Sequence, residues 1–302
     1  MKSKICLALA AALLLGCCGC QSEPAPASSQ AVSSTPASSA ASSVTPSSEE
    51  PVRSATPVSS AAPVSSAVYD PTDLALLDNT KMGWGQENRR NELNQPTKCL
   101  TYQQKYGDRA AVFINDSDKI ALTFDEGGYV LDTTAPILDT LKEKGVKVTF
   151  FITQEFTRLR PDLVQRMIDE GHVVANHSWS HVSLPTKSIE VAESEITKQH
   201  DYVKEHFGYE MHLFRPPMGE FSVRTLEMTK RLGYKSVFWS FAYLDYDVNN
   251  QPAPDAALQR ILDAAHPGAI YLLHAGSTTN TAILGDVIDG MRARGFEFTV
   301  LS

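Results

Sequence analysis

The stretch Ile120-Ala121-Leu122-Thr123-Phe124-Asp125-Glu126-Gly127-Gly128-Tyr129 decides how this 302-residue chain is read. A short apolar run ends abruptly in two adjacent carboxylates and two glycines. Such a run, bounded by breakers, reads as a buried strand. Gly127 and Gly128 end it and let the backbone pass close to another group. Asp125 and Glu126 then fall at the C-terminal mouth of a strand, where α/β proteins assemble their sites. A solvated strand-to-loop turn has the same local appearance, so the flanking sequence must decide.

Downstream, strand-like and helix-like stretches alternate. A strand at 120–124 precedes a helix at 134–144 closed by Gly145, and Val148–Thr153 is the next strand. Pro161-Asp162 opens a helix at 163–170, followed by a short strand at 173–175 and a long helix at 189–207 closed by Gly208. Proline in the first turn and glycine after the last turn are ordinary helix punctuation. A strand at 212–214 leads to Ser222, which caps a helix at 223–232. The remaining units are a strand at 236–241, a helix at 255–265, a strand at 269–273, a helix at 281–294 and a last strand at 296–301. Repeated β-α units predict a parallel sheet. This number of units favours a closed or nearly closed barrel, of (β/α)7 type, over an open doubly wound sheet. No glycine-rich phosphate loop follows the first strand.

Upstream, residues 69–117 contain Met82-Gly83-Trp84-Gly85 and Asn88-Arg89-Arg90 but little periodicity. They are expected to form an irregular N-terminal extension packed on a barrel domain spanning 118–302. Residues 21–68 are almost entirely Ser, Ala, Pro, Thr and Val. A segment of that composition buries too little surface to offset its ordering entropy and reads as a disordered linker. Residues 1–20 pair a basic start with an apolar run too short to remain as a membrane span, which is the pattern of an export signal. Leu13-Leu14-Leu15-Gly16-Cys17 resembles a bacterial lipobox, implying lipid on Cys17 and attachment to the outer face of the plasma membrane.

Composition excludes several classes. The formal net charge of −8 provides no basic patch for nucleic acid. Of five cysteines, four lie in or beside the signal, and only Cys99 belongs to the folded part. That excludes a disulfide framework and a cysteine metal site within the domain. No protein partner is inferable.

Each strand end carries polar residues. Asn176-His177-Ser178-Trp179-Ser180-His181 places two histidines four apart, a spacing that on a helical turn lets both imidazoles reach one ion. With a carboxylate at the neighbouring strand end, this describes a catalytic divalent site, most often zinc. Arg215-Pro216-Pro217-Met218-Gly219 offers an arginine suited to gripping a carboxylate. Leu244-Asp245-Tyr246 and Leu272-Leu273-His274 follow.

These blocks, TFDEG, HSWSH, RPPMG, the aspartate of LDY, and LLH, resemble in their order the polysaccharide deacetylases, carbohydrate esterase family 4. The resemblance implies a distorted (β/α) barrel and a metal-dependent hydrolase that removes acetyl groups from N-acetylated sugars. The stretches 237–251 and 266–280, with the MGWG and NRR segment in front, look most like the muramic acid de-N-acetylases of muramic δ-lactam formation. That points to peptidoglycan glycan strands as partner. Carried over residue by residue, the resemblance makes Asp125 the general base, oriented by Arg215. His274 becomes the general acid, held by Asp245. The Met218 backbone N–H is the oxyanion donor, and Glu126, His177 and His181 are the ligands of one divalent ion, zinc first. Glu126 stands where the family usually has a second aspartate, and Met218 where it usually has a tyrosine. Two alternatives stay open at the level of sequence. One is a deacetylase or acetylesterase for N-acetylglucosamine or another polysaccharide. The other is an inactive glycan-binding lipoprotein, for which retention of a base and an acid, each with its own partner, has no use.

Overall fold

The computed structural model describes residues 71–127 and 132–302. The signal, the lipobox at Cys17, the linker over 21–68 and the glycine–tyrosine end of the opening motif lie outside these residues. In chain order the first elements are α1 (Pro71–Ala75), β1 (Met82–Gly83), α2 (Thr97–Tyr106), β2 (Ala111–Val112) and β3 (Ala121–Glu126). Then come α3 (Thr134–Lys144), β4 (Thr149–Ile152), α4 (Gln154–Leu159), α5 (Pro161–Asp169), β5 (Val173–Asn176) and α6 (Ile189–Phe207). The last are β6 (Leu213–Phe214), β7 (Glu220–Phe221), α7 (Val223–Arg231), β8 (Lys235–Val237), α8 (Pro254–Asp263), β9 (Ile270–His274) and α9 (Thr278–Ala293).

Seven strands form one parallel sheet in the order β2-β8-β6-β5-β4-β3-β9. Its two ends meet. Just past β2, Asn115 N–H donates to Gly268 C=O ahead of β9, and Leu272 N–H in β9 donates to Phe241 C=O beyond β8. The sheet therefore curls into a barrel. Side chains alternate across it, as a period of two requires. Ala121, Phe151, Ala175, Leu213, Val237 and Ile270 form an inner cluster. Leu122, Phe124, Phe150, Ile152 and Val174 face the helices in the main core.

The helices follow their punctuation. In α3, Ile137, Leu138 and Leu141 are buried, and Gly145 at φ 62° returns its N–H to Leu141 and Lys142 C=O. In α6 the Ser188 side chain accepts from Val191 N–H, and Gly208 at φ 63° ends the helix.

Three segments differ from the sequence reading. The extension is not wholly irregular: it supplies α2 and the edge strand β2. It also contributes Trp84, Tyr106 and Phe113 to a second core with Phe221, Phe238 and Trp239. Phe113 and Phe238 stack with ring centroids 4.3 Å apart. A two-residue strand has no alternation to read, which is why β2 escapes detection. The strand expected at 296–301 is a single bridge between Phe298 and Ile120. β3 already has β4 and β9 on its two sides, so only the residue before it is free to pair. Finally, α4 occupies a segment assigned no structure. Cys99 is free and buried. No helix among the described residues is long and apolar enough to cross a membrane.

Candidate active site

The C-terminal ends of β3, β4, β5 and β9 and the loops after β6 and β8 surround a cavity of about 1200 Å³. Asp125 and His274 are direct partners in the parallel register of β3 and β9. Both side chains line this cavity.

Asp125 is held by Arg215, whose Nη1 donates to Oδ1 at 2.6 Å. Arg215 is wholly buried. Its guanidinium carbon lies 3.9 Å from the Phe151 ring centroid, a face that receives cations well. Burial alone would raise the Asp125 pKa. The charge of Arg215, with the histidines 177 and 274 beside it, outweighs that and holds the carboxyl below its ordinary value. Asp125 is therefore an ionised acceptor.

His274 is oriented from its other side. Asp245 is buried, and its Oδ1 lies 2.7 Å from His274 Nδ1 while its Oδ2 accepts the His274 backbone N–H at 2.9 Å. Asn280 Nδ2 donates to the same Oδ2 at 2.6 Å, and the Tyr243 hydroxyl bonds to Asn280 Oδ1. A carboxylate on Nδ1 leaves Nε2 as the working nitrogen. Burial would lower the His274 pKa, but the hydrogen bond and charge of Asp245 raise it above the ordinary value. Asn280 and Tyr243 escape sequence reading because their role depends on α9 and the loop after β8 meeting behind Asp245.

His177 and His181 stand together with ring centroids 4.8 Å apart. They are not on a helical turn as their spacing predicts. Ser178 at φ 70° and His181 at φ 52° are left-handed. Asn176 Oδ1 accepts Ser178 N–H and Ser178 Oγ accepts His181 N–H, so side chains replace the helix ladder. His177 Nδ1 lies 2.9 Å from the Arg215 carbonyl, which assigns it the proton and leaves Nε2 free as a donor atom. Burial pushes His177 down to about 4 and lowers His181 as well, so both imidazoles are neutral near pH 7. Neutral nitrogens with a carboxylate 3.5 Å from His177 Nε2 suit a divalent cation.

Glu126, expected beside the histidines, is set apart from them. Adjacent strand residues point to opposite faces. With Asp125 directed inward, Glu126 Oε2 instead accepts from Thr134 Oγ1 at 3.2 Å in α3. Its Oε1 is buried without a partner. Burial and the neighbouring charge of Asp125 push its carboxyl up to about 8. Among the described residues, no three His, Cys, Asp or Glu side chains are grouped to hold an ion. The histidine pair thus fits a metal, and Glu126 in this position does not complete it.

Met218 lies in a tight turn at φ 59°, ψ 9°. The turn's hydrogen bonds come from Gly219 N–H and Glu220 N–H, and neither uses the Met218 N–H. The extension braces this turn, because Trp84 N–H donates to Gly219 C=O at 2.9 Å. Gln86 bonds to both Trp239 Nε1 and Ala242 C=O, tying the extension to the loop that leads to Asp245.

The family profile described as Polysaccharide deacetylase matches residues 99–237. The peptidoglycan-N-acetylmuramic acid deacetylase PdaA of Bacillus subtilis (strain 168) is 43% identical over 224 residues, 73% of this chain and 84% of that protein. The peptidoglycan-N-acetylglucosamine deacetylase PgdA of Listeria monocytogenes serotype 1/2a (strain 10403S) is 33% identical over 183 residues, 61% of this chain and 38% of that protein. The solved structure of Bacillus subtilis PdaA, described as a family 4 carbohydrate esterase, superposes with a TM-score of 0.70 at 36% identity, covering 74% of this chain and 96% of that one. With the same strand-end blocks set around one cavity, the chain belongs to the polysaccharide deacetylase family.

Proposed function

We propose that this chain hydrolyses the N-acetyl group of N-acetylmuramic acid residues in peptidoglycan. The observation that carries the reading is the opposition of two oriented groups, Asp125 on Arg215 and His274 on Asp245, across one cavity. An amide needs a base for the attacking water and an acid for the departing nitrogen. Asp125, ionised, takes the proton of water. His274 Nε2 delivers a proton to the amine, while Asp245 stabilises the imidazolium through Nδ1. The Met218 N–H receives the developing oxyanion charge, a role supported by its being left out of the hydrogen bonds of its own turn. A divalent ion, zinc first given the nitrogen donors, would be held by His177 and His181 and would polarise the amide carbonyl and the attacking water. Lipid on Cys17 and the linker over 21–68 would tether the domain at the outer membrane face within reach of the wall. The muramic preference draws support from the Bacillus subtilis relative and from the stretches 237–251 and 266–280.

The experiment supplies the full chain with peptide-free glycan strands and, separately, with chitin oligomers, and locates lost acetyl groups by mass spectrometry. Loss from muramic acid with little from chitin is the expected result. Comparable rates on both would remove the muramic assignment, and no acetate from either would remove the hydrolase.

A further inference from the structure

The two aspartates of the site are held in different ways. Asp125 rests on a cation, Arg215. Asp245 is buried more deeply, yet among the described residues its one ion-pair partner is His274. Its other support is neutral. Oδ2 accepts the His274 backbone N–H at 2.9 Å and Asn280 Nδ2 at 2.6 Å, which leaves Oδ1 for His274 Nδ1 at 2.7 Å. Asn280 Nδ2 also reaches the His274 C=O at 3.2 Å. An ionised carboxylate and a backbone carbonyl only accept, so both amide protons of Asn280 are committed. Its Oδ1 therefore faces the Tyr243 hydroxyl, which donates. The backbone is fixed as well. Asn280 N–H donates to the capping Ser277 Oγ at 3.0 Å, and Ser277 Oγ donates to Gln251 Oε1. Gln251 Nε2 donates to the Asp245 C=O at 2.9 Å, so the loop after β8 and the first turn of α9 close around Asp245.

A carboxylate can turn about its own bond and offer either oxygen. With Oδ2 occupied by two N–H groups, only Oδ1 remains for the imidazole. A cation in the place of Asn280 would hold Asp245 equally well, but would compete with the imidazolium for its charge, as Arg215 does at Asp125. A neutral amide fixes the geometry and leaves the charge to His274. Tyr243 and His274 line the cavity, and Asn280 stands behind them, 2% exposed. Resting on the acid role of His274 in the reading above, we infer that Asn280, set by Tyr243, is a positioning residue of the general acid. It locks Asp245 so that Oδ1 alone takes His274 Nδ1, which keeps Nε2 turned to the departing nitrogen.

The test measures acetate release from peptide-free glycan strands by the full chain, by Asn280→Ala and Tyr243→Phe, and by each of these combined with His274→Ala. Asn280→Ala should lower kcat roughly ten- to a hundredfold, the scale of one hydrogen bond to a charged group, with KM unaltered. Tyr243→Phe removes one oxygen and should lower kcat roughly two- to tenfold, the scale of one neutral hydrogen bond. Neither change should cost anything further once His274 is alanine, because both act through it. A merely structural role would lower activity by the same factor with or without His274. That result in Tyr243→Phe overturns the inference even where Asn280→Ala does not fold. Unaltered kcat in Asn280→Ala, or a loss that falls on KM, overturns it too while the hydrolase reading stands. Full activity in His274→Ala removes the acid role and the inference together, and no acetate from the unmodified chain removes the hydrolase reading itself.

Discussion

Asp125 and His274 face each other as register partners on adjacent parallel strands, and each is gripped from behind by a residue of opposite charge character. The pairing splits their titrations. Asp125 is held below its ordinary value of 3.8 and His274 above its ordinary value of 6.5. The base form is present from acid pH upward, and the acid form persists past the usual histidine range.

The pH profile of kcat/KM should therefore be a wide bell, with limbs that belong to the coupled site. Asp125→Asn and His274→Ala should each lower kcat about 10²- to 10⁴-fold with the fold intact by circular dichroism. An alkaline limb on the acid side of ordinary histidine, or a His274→Ala enzyme that keeps most of its activity, would contradict the acid assignment.

Arg215→Met should be costly. It leaves Asp125 buried without its counter-charge, a change worth roughly 3–5 kcal/mol. The denaturation midpoint should fall, and the acid limb of the remaining activity should move to higher pH as Asp125 loses the charge that holds it ionised. A stable variant with an unmoved acid limb would show that Arg215 does not control Asp125.

Gly219 sits at φ +65°, and a Cβ there would meet Trp239 Cη2 at 2.7 Å and the Trp84 carbonyl at 3.1 Å. Gly219→Ala should destabilise by about 1–3 kcal/mol and reduce turnover, because the same strain displaces the neighbouring Met218 N–H. Equal stability and kcat in the variant would mean that this turn adjusts freely.

Glu126→Gln replaces a carboxyl that burial keeps largely protonated with an amide of similar shape. Bound metal and turnover should both remain near those of the unmodified chain, whereas His177→Ala and His181→Ala should lose both. Joint loss of metal and activity in Glu126→Gln would place Glu126 on the ion.

Acid should unfold the domain through buried neutral histidines. Burial pushes His266 and His172 down to about 4 from 6.5. Below about pH 6.5 the unfolded chain takes up protons that the folded chain refuses until about pH 4, so stability falls as pH drops through that window. The loss is roughly 3 kcal/mol per histidine at most. Denaturant titrations at pH 7 and pH 4.5 should show it, and His266→Gln should flatten it. The same slope in that variant would exclude His266 as a source.

The sequence by itself determined the alternation of strands and helices, the parallel sheet, and the set of side chains at the strand ends. These rest on local signals: apolar runs, caps such as Ser188, and terminal glycines such as Gly145 and Gly208, whose reach is one turn of backbone. Asp125, Arg215, Asp245 and His274 stand out as polar residues following apolar runs, and their roles came from the resemblance of the blocks that hold them to the family. What only the tertiary structure decided is how those groups face one another. Closure of the barrel brings β9 beside β3 and so sets His274 opposite Asp125. The period of two in β3 sends Glu126 to Thr134 rather than to the histidines. Left-handed backbone at Ser178 and His181, rather than a helical turn, brings the two imidazoles together. Asn280 and Gln86 carry no local signature, because their partners come from segments far apart in the chain. Such roles depend on long-range packing, which no short window of sequence contains.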